Sequence, residues 1–333
     1  MSRRASSLVG WLSLLLVGSM TVPAAGRPTH ASRPSHVIGR GTAASCTSAK
    51  VIAAVRAGGI IRFSCGPRPV TIRMTATAKV VNTSRLVVLD GGGLVTLSGQ
   101  GRRRILYMDT CDPAQVWTTS HCQDQASPKL VIQNITFTNG NSTGQRFDGG
   151  GGGAIFDRGG ALRIVNSVFV GNRCEHNGPD IGGGAVRALS QYHGLPVYVV
   201  NSRFTSNACA NGGALSSIGV SWTVLGSTFV ANRAIGLGAN PAQSGTPGGG
   251  SGGAIYNDGD RMTLSIRGSS FTSNHANEGG GAIFFVSNDR TGTMAIRASA
   301  LVHNRNDGFQ TAGLPGIFFL GARRPTIVGT VLR

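Results

Sequence analysis

Apolar and polar positions along this chain repeat one phrase five times between Gly152 and Asn304. Its first half is Gly-Gly-Ala-apolar: Gly152 to Ile155, Gly183 to Val186, Gly212 to Leu215, Gly252 to Ile255 and Gly280 to Ile283. Its second half is Phe-x-x-Asn: Phe169 to Asn172, Phe204 to Asn207, Phe229 to Asn232, Phe271 to Asn274, with a variant from Leu301 to Asn304. A period of about 20 to 45 residues marks stacked repeats, in which no unit can bury its apolar face alone. The eight residues up to each Phe align without gaps, from Leu130–Phe137 through Met294–Leu301. Their first and third positions are apolar and the residue between varies, a period of two that predicts strand. The fifth position is Asn134, Asn166, Asn201, Gly226, Gly268 or Ala298. Asn and Gly tolerate positive φ, so a tight corner is expected there. Each unit therefore reads as three short strands. Stacked on its neighbours, it predicts an all-β, right-handed parallel β-helix, the hand following the rule for parallel crossovers.

The flanks complete this picture. Ser45–Gly58 reads as a helix with Val51, Ile52 and Val55 on one face, expected to cap an otherwise open N-terminal end. Short strand-like runs follow at Ile60–Ser64, Val70–Met74, Leu86–Leu89, Val95–Leu97 and Ile105–Tyr107. With closing strands at Gly316–Leu320 and Pro325–Leu332, about eight coils are expected, a rod on the order of 40 Å long. Asp90-Gly91-Gly92-Gly93 reads as a turn, with Asp90 structural. The Phe and Asn of Phe-x-x-Asn read as core and as an amide ladder. Ser167, Ser202, Ser227, Ser269 and Ser299 form a similar column. The loops between Phe-x-x-Asn and Gly-Gly-Ala vary in length but leave from one corner, so they should gather on one side.

Gly-Gly-Ala-Ile alternating with Phe-x-x-Asn resembles the repeats of polymorphic outer membrane proteins, and more broadly the pectin-lyase-like β-helix superfamily, over roughly Leu130 to Asn304. The resemblance implies the fold. It implies no single activity, because lyases, hydrolases, adhesins and passive surface proteins share it. Those outer membrane proteins end in a barrel; none is read after Asn304 here, so autotransport is not among the expectations.

Residues 1–31 read as a secretion signal, with Arg3 and Arg4 before the short apolar run Leu8–Val17 and small residues at Ala24–Gly26. Residues 32–44 read as a linker and 45–333 as one domain. No later run is long and apolar enough to span a bilayer. The six cysteines predict three disulfides and a secreted or cell-surface protein. Cys46 is expected to pair with Cys65 and Cys111 with Cys122. Cys174 and Cys209 each fall two residues after a ladder Asn, so in adjacent coils they should stack about 4.8 Å apart and bond. Zinc is the alternative for cysteines, but Cys-x-x-Cys and His-x-x-x-His spacings are missing, so no metal and no cofactor are expected.

Charged residues make up only 13%, yet the net charge is +18, nearly all arginine, with lysine only at Lys50, Lys79 and Lys129. Arginine forks suit carboxylate, sulfate or phosphate, so an acidic polysaccharide, a cell-wall polymer, a membrane surface or nucleic acid is compatible; no motif for specific nucleic-acid recognition is seen. In each first strand the residue after the inward one should face out: Phe156, Arg187, Ser216, Tyr256 and Phe284. Rings that stack on sugars and an arginine that forks a uronate make this column, with nearby Asp157 and Asp258, the candidate ligand site. The other reading is a satellite core under the loops. Polygalacturonase-type motifs and an acidic calcium cluster are missing. His176, His193, His275 and His303 read as isolated loop residues. The expectation is a monomeric, non-catalytic protein that binds an extracellular polymer or a protein partner. Its rivals are a polysaccharide lyase or glycoside hydrolase, and a purely structural surface rod.

Overall fold

The structure, a computed structural model, describes residues 33–145 and 149–333. The expected leader, residues 1–31, lies outside them. Three sheets of 17, 8 and 4 strands build the fold, and their strands pair in parallel. Among the described residues the antiparallel contacts are two isolated bridges, Leu237 to Gly248 and Ala239 to Gly249. Each repeat gives one strand to the eight-stranded sheet at Gly-Gly-Ala-apolar and one carrying Phe to the 17-stranded sheet. Four repeats add a two-residue strand to the four-stranded sheet, directly after the ladder Asn.

Register holds from unit to unit. Phe137, Phe169, Phe204, Phe229, Phe271 and Leu301 are successive partners, and neighbouring Phe rings stack at 4.5–5.2 Å between centroids. Asn172, Asn207, Asn232 and Asn274 each receive two bonds at Oδ1 or pass them on: Asn172 N and Nδ2 donate to Asn207 Oδ1, Asn207 to Asn232, Asn232 to Asn274 and Asn274 to Asn304. Each backbone N–H from Ser167 to Ser269 in the serine column donates to the next Oγ, at 3.1 Å every time. These ladders satisfy polar groups that would otherwise be buried at each corner without a partner.

The corner residues Asn134, Asn166, Asn201, Gly226, Gly268 and Ala298 all lie at φ between 47° and 59°. In Gly-Gly-Ala the two glycines have different reasons. The first sits at positive φ, for example 52° at Gly212. A Cβ on the second, Gly213, would run into the Arg233 backbone nitrogen and the Gly253 carbonyl of the adjacent unit.

The helix runs Ser48–Ala57, with the Thr47 side chain accepting from Lys50 N and Gly58 at φ 75° ending it. Val51, Ala54 and Val55 are buried in the same apolar cluster as the strands. The stretch expected as a linker is not all loose: His36–Ile38 is a strand paired with Ile61–Phe63. Its alternation was too short to register as a period of two. Leu86 to Ser98 is one long strand with an irregularity between Asp90 and Val95, where two runs and a turn were expected. Asp90 accepts from Gly92 N, Gln133 Nε2 and Asn134 Nδ2, a structural role. All three disulfides form as expected, with Cα separations of 5.7 Å for Cys46–Cys65, 4.9 Å for Cys111–Cys122 and 4.8 Å for Cys174–Cys209. Among the described residues no helix is long and apolar enough to cross a membrane.

Candidate functional site

The predicted column exists in register. Tyr107, Phe156, Arg187, Ser216, Tyr256, Phe284 and Phe318 are successive partners across the eight-stranded sheet. It is not an open surface. Phe156, Arg187, Ser216, Tyr256 and Phe284 are each at most 3% exposed. Phe156 stacks on Tyr107 at 5.4 Å and lies under the Arg104 guanidinium. Tyr256 stacks on Phe284 at 5.0 Å, and Phe284 on Phe318 at 5.2 Å. The faces a sugar would use are taken by neighbouring side chains. The physical reason is the length of the loops. They cross this side of the sheet, and burying three aromatic rings there outweighs leaving them wet.

The loops are latched down by polar contacts. Asn240 Nδ2 donates to Tyr256 Oη at 2.7 Å, Asp180 Oδ1 at 2.9 Å and Asp258 Oδ2 at 3.1 Å. Tyr256 Oη in turn donates to Asp258 Oδ2 at 3.0 Å. Burial pushes the Asp258 carboxyl up and the Tyr256 hydroxyl well up. Asp180 and Asp258 are a carboxylate pair that the sequence did not suggest. A glycosidase pair needs the scissile bond between its two carboxyls; here the Asn240 amide occupies that place. Asp157 and Asp258, the two acids expected near the column, do not meet. Asp157 faces inward, fully buried, on the unit that lies three strands from Asp258, about 14 Å along the stack.

Arg187 is a buried cation whose guanidinium donates to Ser216 Oγ at 3.1 Å, and its Nε has no partner among the described residues. Desolvation lowers its pKa to about 10, with Tyr256, Asp180 and Glu175 opposing the shift. Asp157 shows the reverse sign. Burial raises its carboxyl well above the usual range, against one hydrogen bond from Gln191 Nε2, with Asp109 adding to the rise. The folded chain therefore holds this proton longer than the unfolded chain does. That contribution to stability is complete below the unfolded carboxylate value of about 4 and is lost as pH rises through the folded value. We expect Asp157→Asn to flatten the fall in melting temperature as pH rises above about 4. A thermal denaturation series on both proteins checks this; identical slopes would show that Asp157 does not contribute to the fall.

What remains open to solvent lies on another edge. The residue after each ladder Asn points outward from the four-stranded sheet. Arg173 bridges to Ala208, and Ala208 pairs with Arg233, Arg233 with His275 and His275 with Arg305. The row extends backwards to Asn141, which bridges to Arg173. Six rungs thus read Asn141, Arg173, Ala208, Arg233, His275, Arg305. Arg173, Arg233 and Arg305 are exposed, and among the described residues none of these three forms an ion pair. The row ends in two depressions. One, of about 560 Å³, is lined by Arg73, Gln100, Asn139 and Arg173; the other, of about 430 Å³, by Ser273, His275, His303 and Arg305. The sequence signal for this row was present in Asn172-Arg173, Asn232-Arg233 and Asn304-Arg305, directly after the ladder residue. His275 is not isolated: its Nε2 lies 3.0 Å from Asp307 Oδ1. Among the described residues no three His, Cys, Asp or Glu side chains group as a metal site.

Comparison with protein-family models, with curated proteins and with solved structures finds no match to this chain.

Proposed function

We propose that this protein is a secreted, right-handed parallel β-helix of the polymorphic outer membrane protein-like repeat type, and that it binds an acidic extracellular polymer without cleaving it. The three parallel sheets, the unit-to-unit register and the disulfides support the fold and an oxidising location. The observation that carries the binding reading is the exposed arginine row, Arg173, Arg233 and Arg305 on alternate rungs of one straight edge. Guanidinium groups held on paired strands form a fixed line of forked donors, which suits carboxylates or sulfates along an extended chain. The binding surface is thus the edge with the amide ladder beneath it, in place of the covered aromatic column. Absence of cleavage is supported by the Asn240 amide between Asp180 and Asp258.

The test is binding of the full chain to an immobilised uronate-containing polysaccharide at physiological salt. Arg173→Ser, Arg233→Ser and Arg305→Ser are combined in one variant. A control removes the same charge elsewhere through Arg203→Ser, Arg267→Ser and Arg297→Ser, three exposed arginines on the 17-stranded sheet. At up to about 1 kcal/mol for each exposed ion pair, the row variant should lose on the order of tenfold to a hundredfold in affinity. The control should lose much less. Equal losses would mean that only net charge is felt, and the reading would fail.

A further inference from the structure

We infer that the arginine row reads the charge period of its polymer, and that it fits a glycan with one carboxylate or sulfate in each disaccharide, laid along the stack with one sugar ring per rung. This rests on the acidic-polymer reading above and names the ligand class. Paired strands stand about 4.8 Å apart, so Arg173, Arg233 and Arg305 on alternate rungs recur every 9.6 Å or so, over roughly 19 Å.

The rungs that alternate with these arginines offer no free cation. Asn141 has its amide committed, with Nδ2 donating to the Gly101 carbonyl and Oδ1 accepting from Thr143 N. Ala208 presents only a methyl group. His275 is paired with Asp307, whose carboxylate would repel an anion at that rung. A sugar ring in an extended chain advances by about one strand spacing, so a charge on alternate rings meets each arginine and leaves neutral rings over Asn141, Ala208 and His275. Along the axis of a stacked DNA helix each strand carries a phosphate about every 3.4 Å, nearly three per arginine step, and two of each three would stay unpaired. A chain with a uronate on every ring would place half its carboxylates over rungs without a cation, one of them beside Asp307.

The test compares three probes of matched contour length against the full chain by calorimetric titration: an alternating glucuronate–N-acetylglucosamine octasaccharide, an oligogalacturonate, and a thymidine oligonucleotide. The alternating chain should bind at least as tightly as the oligogalacturonate, which has twice its charge, and at least tenfold more tightly than the oligonucleotide. Ala208→Arg fills a rung between two arginines and should raise oligogalacturonate affinity at least fivefold while changing the alternating chain less than twofold. Asn141→Arg, on a separate, half-buried rung, should act the same way should Ala208→Arg disturb folding. Affinities that simply rise with probe charge, with both variants strengthening every probe alike, would overturn the charge-period inference and leave the polymer-binding reading standing. Failure of all three probes to bind would overturn both.

Discussion

Replacement of Asn207 by Ala is expected to destabilise the fold by roughly 3–5 kcal/mol, a loss of about 10 °C in melting temperature. Asn207 is fully buried. Its Oδ1 accepts from Asn172 N at 3.0 Å and Nδ2 at 2.9 Å; its own Nδ2 donates to Asn232 Oδ1 at 2.9 Å and to the Phe169 carbonyl at 3.1 Å. Truncation strips one bond from each of four buried groups, and no water can replace them at a site closed by the units above and below. Leaving a buried donor or acceptor unpaired costs about 1–3 kcal/mol. The same change at a ladder end, Asn304, should cost less, because that side chain is partly exposed. Denaturant unfolding of the two variants measures the difference. Equal and small losses would show that the amide ladder contributes little and that the apolar stack alone holds the corner.

A comparable loss, about 3–5 kcal/mol, is expected for Phe204→Ala. Its ring lies between Phe169 and Phe229, 4.8 Å from each and nearly parallel to both. Removing it leaves a cavity that neither neighbour can enter, since each is pinned by its own strand pairing. Phe204→Leu should recover more than half of the loss by refilling most of the volume. Calorimetric melts of the two variants decide it; a Phe204→Ala protein that melts within about 3 °C of the parent would mean that the stack collapses to fill the gap.

Much of the fold was legible in the residues. The corner positions, the Phe stack, the amide and serine ladders and the Cys174–Cys209 bond all follow from one alignment of the repeated phrase, because each depends only on register between neighbouring units. The column of Phe156, Arg187, Ser216, Tyr256 and Phe284 was legible for the same reason. Its burial was not. Whether outward rings stay wet depends on where residues such as Asn240 come down, and nothing in the local pattern of 233–251 says that its amide will reach Tyr256 and Asp258. The arginine row was hidden by loop length. Successive ladder residues are separated by 35, 25, 42 and 30 positions, so arginines that share one edge look scattered along the chain. His36–Ile38 was hidden by its brevity, since three residues cannot show a period.

The most direct measurement of the binding account is arginine-selective modification with phenylglyoxal, followed by peptide mass spectrometry, with and without the alternating acidic glycan. Protection concentrated on Arg173, Arg233 and Arg305, while Arg203, Arg267 and Arg297 stay as reactive as in the free protein, is the predicted result. Protection spread evenly over both sets, or found at neither, would contradict a polymer laid along the row.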